Sequence, residues 1–307
     1  MGGRPVERDS IIDCLIIGGG PAGLTAATYL GRYRRSVMLV DAGESRAGLI
    51  PESHNYPGYA GIAGRDLLKL LRRQADDFGA RLIDGRVDAL EQDSDQLLLA
   101  RFGGATIRAR TVLLATGIVD NDPPLPGIRI AVQKGTLRYC PICDGYEASD
   151  QRIGVFGSVR SGGNKALFLR TYSAHVTLLL TEAPTDADAA MLETLDECGV
   201  TVSSALSFNL EEQGTQIEVL FADGTRHEFD VMYPALGCEV RSGMATALGA
   251  TTDEAGCLLV DPQQRTAAPG VLAAGDVVSN LHQLSVAVGH AAIASTAIHN
   301  SLPRNFR

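Results

Sequence analysis

The sequence predicts an α/β protein made of two nucleotide-binding units, the smaller inserted in the larger. Three features point to this. A short run of branched apolar residues, Ile11 to Ile17, breaks into the glycine loop Gly18-Gly19-Gly20-Pro21-Ala22-Gly23. The same strand–glycine–helix pattern returns around Gly154 to Gly162, near the middle of the 307 residues. A buried strand at Gly270 to Ala274 and an Ala-rich segment then close the chain, as a continuation of the first unit.

Each element follows from its local pattern. Ile11 to Ile17 is short and β-branched, as a buried strand is. Leu24 to Arg32 reads as a helix, and Ser36 to Val40 as a second strand ending at Asp41. A loop with turn signals, Ile50 to Ile62, precedes a helix with periodic apolar residues from Arg65 to Phe78. Short strands and turns run to about Arg110, then Thr111 to Ala115 is a buried strand closed by Thr116-Gly117. Asn121 to Gly127 is a linker by its proline and glycine content. Beyond it lie a strand (Gly154 to Phe156), a turn (Gly157 to Gly162), a helix (Lys165 to Tyr172) and another strand (Val176 to Leu180). Mixed strands are expected to about Leu236. After Gly270 to Ala274 come Gly275-Asp276 and a helix from about Ser285 to His299. The expected domains are 1–120 with 247–307, discontinuous, and 121–246 inserted between them.

Composition narrows the function. With 45% hydrophobic residues the chain can build two cores. No apolar run approaches the roughly 18–20 residues of a membrane span. The polar start and the short apolar stretch after it do not make a signal core, so a cytoplasmic protein is expected. A net charge of −9 without a basic block leaves no footprint for nucleic acid. Of six cysteines, Cys14, Cys198, Cys238 and Cys257 are scattered and read as small buried hydrophobes; Cys140 and Cys143 are close neighbours.

The first glycine loop has the full context of a dinucleotide site: a strand before it, a helix after it, and Asp41 eighteen positions beyond Gly23. Gly18 allows the tight turn, Gly20 lets the backbone approach a pyrophosphate, and Gly23 allows close helix–strand packing. Pro21 lacks an N–H that the first helical turn would leave orphaned anyway. The helix N-terminus, with Ala22 in its first turn, then faces the phosphates. Asp41 can accept hydrogen bonds from both ribose hydroxyls. Gly275-Asp276 closes a second buried strand, where a carboxylate can meet a ribityl hydroxyl, and this points to FAD rather than NAD. The helix after it can aim its positive end at the flavin N1–C2=O edge.

Cys140-Pro141-Ile142-Cys143-Asp144-Gly145 has the form of a redox centre. Two cysteines three apart can close a small, strained disulfide, and such disulfides are the labile ones. A helix starting here would favour the nucleophilic thiolate. Asp144 places a proton donor or acceptor beside the pair. Half of a zinc site is the rival reading; it needs two further ligands, and no second CxxC or spaced Cys/His set supplies them.

With these motifs in hand, the chain resembles the low-molecular-weight thioredoxin reductases over nearly its whole length. GGGPAG, NYPGYAG around Asn55, ATG at Ala115-Thr116-Gly117, CPICDG, AAGDV at Asp276 and HQLSVAVG with Gln283 occur in the family's order. The resemblance implies two Rossmann-like nucleotide-binding domains of the three-layer β/β/α type. FAD would be held by the first and last segments and the CxxC carried by the inserted domain. Cys143 would face the flavin, Cys140 would exchange with the substrate disulfide, and Asp144 would be the acid–base group. Members are homodimers that reduce thioredoxin, so a thioredoxin-like protein or a small dithiol or disulfide is the implied substrate.

The second glycine loop departs from the family. NADPH-using members have Gly-x-Gly-x-x-Ala, where this chain has Gly157-Ser158-Val159-Arg160-Ser161-Gly162. The branched side chain of Val159 is expected to occupy the space a pyrophosphate needs. The family's His-Arg-Arg cluster is replaced by Leu180-Thr181-Glu182, so a 2′-phosphate would lose its cations. Two explanations compete: Glu182 holds a ribose hydroxyl of NADH, or the site has lost nicotinamide. Relatives of the second kind are ferredoxin-linked flavin thioredoxin reductases, a cyanobacterial-type enzyme with a second flavin in that site, and dithiol oxidases that use oxygen. A ferredoxin-type donor and a second nucleotide or flavin in the altered site are therefore expectations, as is the third alternative of a flavin redox sensor without turnover. His282 and His290 fall near the flavin segment, and Phe306 in the tail.

Overall fold

A computed structural model describes residues 11–203, 208–214, 216–221 and 224–306. The backbone divides into two units: the described residues of Met1–Gly48, Ala63–Val119 and Glu239–Arg307, and those of Leu49–Ile62 and Asp120–Cys238.

The first unit opens with β1 (Ile11–Ile17), α1 (Pro21–Arg32) and β2 (Val37–Asp41), as the sequence pattern predicts. Then come α2 (Gly64–Asp77), β3 (Arg81–Asp84), β4 (Val87–Gln92), β5 (Leu98–Phe102) and β6 (Ala105–Leu114). β1 and β2 are buried on both faces, which is why they read as unbroken apolar runs rather than as alternation. β6 is longer than the expected Thr111 to Ala115 because it serves two neighbours. Its first half pairs antiparallel with β5, and Val112, Leu113 and Leu114 pair parallel with a strand from the end of the chain. The sheet runs β3-β2-β1-β6-β5-β4. The chain leaves through β7 (Ile118–Asp120).

The second unit contains α3 (Ile128–Lys134), α4 (Pro141–Asp144), β8 (Ile153–Gly157), α5 (Val159–Leu169), β9 (Val176–Leu180), α6 (Ala189–Glu197) and β10 (Thr201–Ser203). After them come β11 (Phe208–Gln213), β12 (Gln216–Phe221), β13 (Arg226–Phe229) and β14 (Val231–Ala235). A parallel sheet β10-β9-β8-β14 accompanies an antiparallel sheet β11-β12-β13. With α5 and α6 these make the β/β/α arrangement. Three expectations are corrected here. α5 begins at Val159, not Lys165, because Ser158 caps it and its glycines pack instead of turning: a Cβ on Gly163 would meet Met191 at 3.0 Å. α3 follows the expected linker, in a stretch for which no helix was predicted, bounded by Gly127 and Gly135, both left-handed. α6 stands where only strands were expected; Met191, Leu192 and Leu195 put a short apolar face on the core, and its other residues are exposed.

The chain returns through β15 (Cys238–Val240) to α7 (Gly243–Thr246), β16 (Val271–Ala273) and α8 (Leu284–Ser301). α8 packs on α1 through small side chains, Ala287, Ala291 and Ala294 against Ala22, Ala26 and Ala27. Leu24, Leu30, Leu39 and Leu113 complete that core, and Leu15, Met38, Leu98 and Val112 fill the opposite face of the sheet. No helix among the described residues is long and apolar enough to cross a membrane. Two of the four scattered cysteines depart from the buried expectation. Cys14 and Cys257 are buried, but Cys198 is exposed at the end of α6 and Cys238 is half-buried.

Candidate functional site

In the first unit the sequence motifs converge at the C-terminal ends of the parallel strands, where open α/β sheets bind ligands. Gly18 has φ +111°, and a Cβ there would collide with the Ala115 carbonyl. A Cβ on Gly23 would collide with the Gly18 carbonyl, so helix and loop can touch only as glycines. α1 starts at Pro21 with Gly20 as its N-cap and no side chain bonded to its first N–H groups. Those donors and the helix dipole face outward for an anion. The Asp41 carboxylate accepts from the Gly19 N–H (3.2 Å) and the Gly43 N–H (3.0 Å), and Arg72 lies 3.4 Å from its other oxygen.

Ala115 N–H donates to the Ile17 carbonyl and Ala274 N–H to that of Leu114, so all three strands end together. Gly275 has φ +85°, and its Cβ would lie 3.0 Å from that of Ala22, at the start of α1. Asp276 opens a 3₁₀ turn, and Gln283 is the N-cap of α8, its side chain not folded back on the helix. Thr116 donates to the Arg241 carbonyl (2.7 Å), and Arg241 N–H to that of Gly117 (3.0 Å). His290 on α8 carries a buried Nδ1 with no hydrogen-bond partner among the described residues. Burial holds its imidazole below the usual range, against the pull of Asp276. Phe306 is exposed. An uncapped helix, a Cβ-free loop and a carboxylate fixed beside it fit a dinucleotide such as FAD.

The second unit holds the cysteines, joined as a disulfide with Cα atoms 5.3 Å apart. Cys140 is the N-cap of α4, a helix of one turn, and the Cys143 N–H donates to its sulfur at 3.2 Å. Such a donor favours negative charge on that sulfur once the disulfide opens. Asp144 ends the turn. Its Oδ1 accepts from the Tyr233 hydroxyl (2.9 Å), and its carbonyl accepts from Arg138 (2.8 Å). Burial pushes the Asp144 carboxyl up to about 6, opposed by Arg138 and the Tyr233 hydrogen bond. Burial also pushes the Tyr233 phenol up, so it stays a donor. Asn55 lies in this unit, and its Nδ2 donates to the Ile142 carbonyl at 3.3 Å.

The second glycine loop is built differently from the first. Ser158 Oγ accepts from the Ser161 N–H at 3.1 Å, and Ser161 Oγ donates to the Ala235 carbonyl at 2.7 Å. Helix α5 is thus capped by its own side chain where α1 is bare. Val159 does not fill the phosphate space as expected: it is 2% exposed and packed in the core with Val155 and Ala235. Glu182 is exposed after β9, and from Thr171 to Thr225 the sequence contains no lysine or arginine. The stretch after β9 thus offers no lysine or arginine to a 2′-phosphate.

Sequence reasoning missed Tyr233, which folding brings to Asp144, and His54, which it brings to Glu147, as well as Arg138 and Glu147, which lie close to the cysteines in sequence. Only the cation-free stretch was there to be read. The family model described as pyridine nucleotide-disulphide oxidoreductase matches residues 12–291. The thioredoxin reductase of Aquifex aeolicus is 28% identical over 314 residues, covering 96% of this chain and 95% of that protein. The crystal structure of thioredoxin reductase from Streptococcus pyogenes superposes with a TM-score of 0.86 at 28% identity, covering 94% of this chain and 97% of that one. The crystal structure of HlmI does so with a TM-score of 0.86 at 30% identity, covering 94% and 92%.

Proposed function

The chain belongs to the pyridine nucleotide-disulphide oxidoreductase family and is a thioredoxin reductase-like disulfide oxidoreductase, and on that premise we propose that it passes electrons between FAD and a dithiol or disulfide substrate through Cys140–Cys143, with a donor other than NADPH. The disulfide beside a carboxyl whose proton affinity is raised into the working pH range carries the first half of this reading.

The roles divide as follows. Gly18, Gly20, Pro21, Ala22 and Gly23 hold a pyrophosphate on the bare N-terminus of α1, and Asp41 takes the adenosine ribose. Ala115, Thr116, Gly117, Gly275, Asp276 and Gln283 line the flavin end, and Asn55 steadies the redox turn through Ile142. Bound FAD supplies the two-electron carrier. Cys143 exchanges with it and Cys140 with the substrate. Asp144 gives a proton to a sulfur leaving as thiolate and takes one back in the reverse step.

The self-capped second loop and the cation-free stretch support a donor other than NADPH. The two units correspond in this reading to an FAD-binding domain and an inserted domain that carries the cysteines but no nicotinamide. A ferredoxin-type protein then feeds the flavin, a thioredoxin-like protein takes the electrons, and the enzyme works as a homodimer, with room in the altered site for a second nucleotide. The same observation favours a second direction of flow, in which a dithiol substrate gives up two electrons and two protons and oxygen leaves as peroxide.

Anaerobic titration of the FAD-loaded protein tests this directly. Reduced ferredoxin or dithiothreitol bleaches the flavin, whereas NADPH and NADH do not. Prompt bleaching by NADPH overturns the donor assignment, and peroxide formed from small dithiols in air selects the oxidase direction.

A further inference from the structure

The turn that carries the cysteines is held by side chains of its own unit, and one of them ends on the Asp144 carboxyl. Arg138 donates through Nη1 to the Asp144 carbonyl (2.8 Å) and through Nε to that of Gly135 (2.9 Å). Lys165 Nζ on α5 donates to the Tyr139 carbonyl (3.2 Å), directly before Cys140, and to the Pro234 carbonyl (2.6 Å), directly after Tyr233. These bonds fix backbone on both sides of the disulfide. The Asp144 side chain keeps its own rotations, and here the Tyr233 hydroxyl meets it, 2.9 Å from Oδ1 and 3.2 Å from the Asp144 carbonyl. The Tyr233 ring is fully buried in the same core as Val155 and Ala166, so packing aims the hydroxyl. A buried phenol needs a polar partner, and against an ionised carboxylate, which has no proton to offer, it is the donor.

We propose that Tyr233 is a positioning residue for Asp144: its hydroxyl fixes the direction of the carboxyl and favours the ionised form, and so sets the pH above which proton delivery to the leaving sulfur fails. The proposal rests on the reading of Cys140–Cys143 as the redox pair and of Asp144 as its acid. The groups that face this carboxyl are Tyr233 on β14, Arg138 before the turn, Lys165 on α5 and Glu147 after the turn. Of these, Tyr233 bonds directly to a carboxyl oxygen. Without its hydroxyl the effect of burial is less opposed, so Asp144 keeps its proton to a higher pH. The freed carboxyl is also less often aimed at its target, so the step slows. A wider acid range joined to a lower rate is the signature; a packing defect lowers the rate alike at every pH.

Anaerobic reduction of the FAD-loaded protein by dithiothreitol reads this without any nucleotide donor. Cys140 and Cys143 are labelled with maleimide after removal of the reductant, and each rate is divided by the concentration of dithiothreitol thiolate. Attack by that thiolate breaks the enzyme S–S bond, and Asp144 gives its proton to the leaving sulfur. The second dithiothreitol thiol then closes on the first and leaves as the cyclic disulfide, two electrons and two protons having passed to the enzyme. The parent's corrected rate is level at low pH and falls through a midpoint near 6, and the fall is absent in Asp144→Asn. Tyr233→Phe removes one oxygen and keeps the ring; it moves the midpoint up by about one unit and lowers the level rate by about tenfold. A ring-fluorinated tyrosine in place of Tyr233, a stronger donor of the same shape, moves the midpoint down instead. In the Asp144→Asn background, Tyr233→Phe changes the rate by less than about twofold. A midpoint that Tyr233→Phe leaves in place or lowers, one that the fluorinated ring leaves in place or raises, or an equal loss in the Asp144→Asn background overturns the proposal while the acid role of Asp144 stands. A fall that survives Asp144→Asn overturns that role and the proposal with it, and a parent disulfide that dithiothreitol never opens overturns the redox reading beneath both.

Discussion

Asp144 shows how one residue's surroundings set its chemistry. Its side chain meets Tyr233 on β14, 89 positions along the chain, in a buried setting that favours the protonated form. Asp144→Asn is expected to lower turnover by about 100-fold or more, as loss of a positioned acid–base group does. The same shift bears on stability. The folded pKa of about 6 lies above the unfolded value, so the stabilising contribution is complete at low pH and is lost as pH rises towards and through 6. Asp144→Asn should therefore raise the melting temperature relative to the parent at pH 8, with the difference vanishing below pH 4. A larger difference at pH 4 than at pH 8 contradicts the assignment. Thiol reactivity follows burial in the same way. Burial pushes the Cys14 thiol up to about 12, and Cys198 is exposed. In native protein, maleimide should label Cys198 and leave Cys14 untouched until denaturant is added. Asp144 was legible because it adjoins the cysteines in sequence. Tyr233 and His54 were not, because only folding brings them to Asp144 and Glu147, and Arg138, two residues before Cys140, shows its part only in its bond to the Asp144 carbonyl.

The two glycine loops are the instructive pair among the elements. Each joins a buried strand to a helix, and both were legible as such. They differ in the residue that caps the helix, Gly20 in one and Ser158 in the other, and so in whether the helix N-terminus is bare or capped. The sequence reading assigned an obstruction to Val159, which turns inward to the core, while Ser158 caps the helix. Ser158→Ala removes that cap and should cost about 1 kcal/mol, measured by urea unfolding. In the first loop, Gly18→Ala places a methyl against the Ala115 carbonyl in a left-handed backbone. It should yield protein that purifies without flavin and melts at lower temperature. Full retention of FAD by that variant is incompatible with the loop geometry described here. The short helices α3 and α6 were missed although each sets three apolar residues on the core, Ile128, Ala131 and Val132 in one and Met191, Leu192 and Leu195 in the other, because about two turns give too short a period to tell from a strand.

At the scale of the whole molecule, the insertion of one nucleotide-type unit within another was written in the repeat of strand, glycine loop and helix and in the return at Gly270. Buried parallel strands leave that trace because both faces must be apolar. The association of 49–62 with the second unit left none, because it depends on single contacts, Asn55 to Ile142 and His54 to Glu147. The molecule thus combines a first unit shaped for a dinucleotide with a second whose corresponding helix is capped by its own serine and which carries the one disulfide among the described residues. The property proposed for it is exchange between flavin and Cys140–Cys143. Anaerobic stopped-flow absorbance of FAD-loaded Cys143→Ser mixed with dithiothreitol measures that most directly. The account predicts that the variant keeps its flavin and that the flavin stays oxidised while the parent bleaches; bleaching at the parent's rate would contradict it.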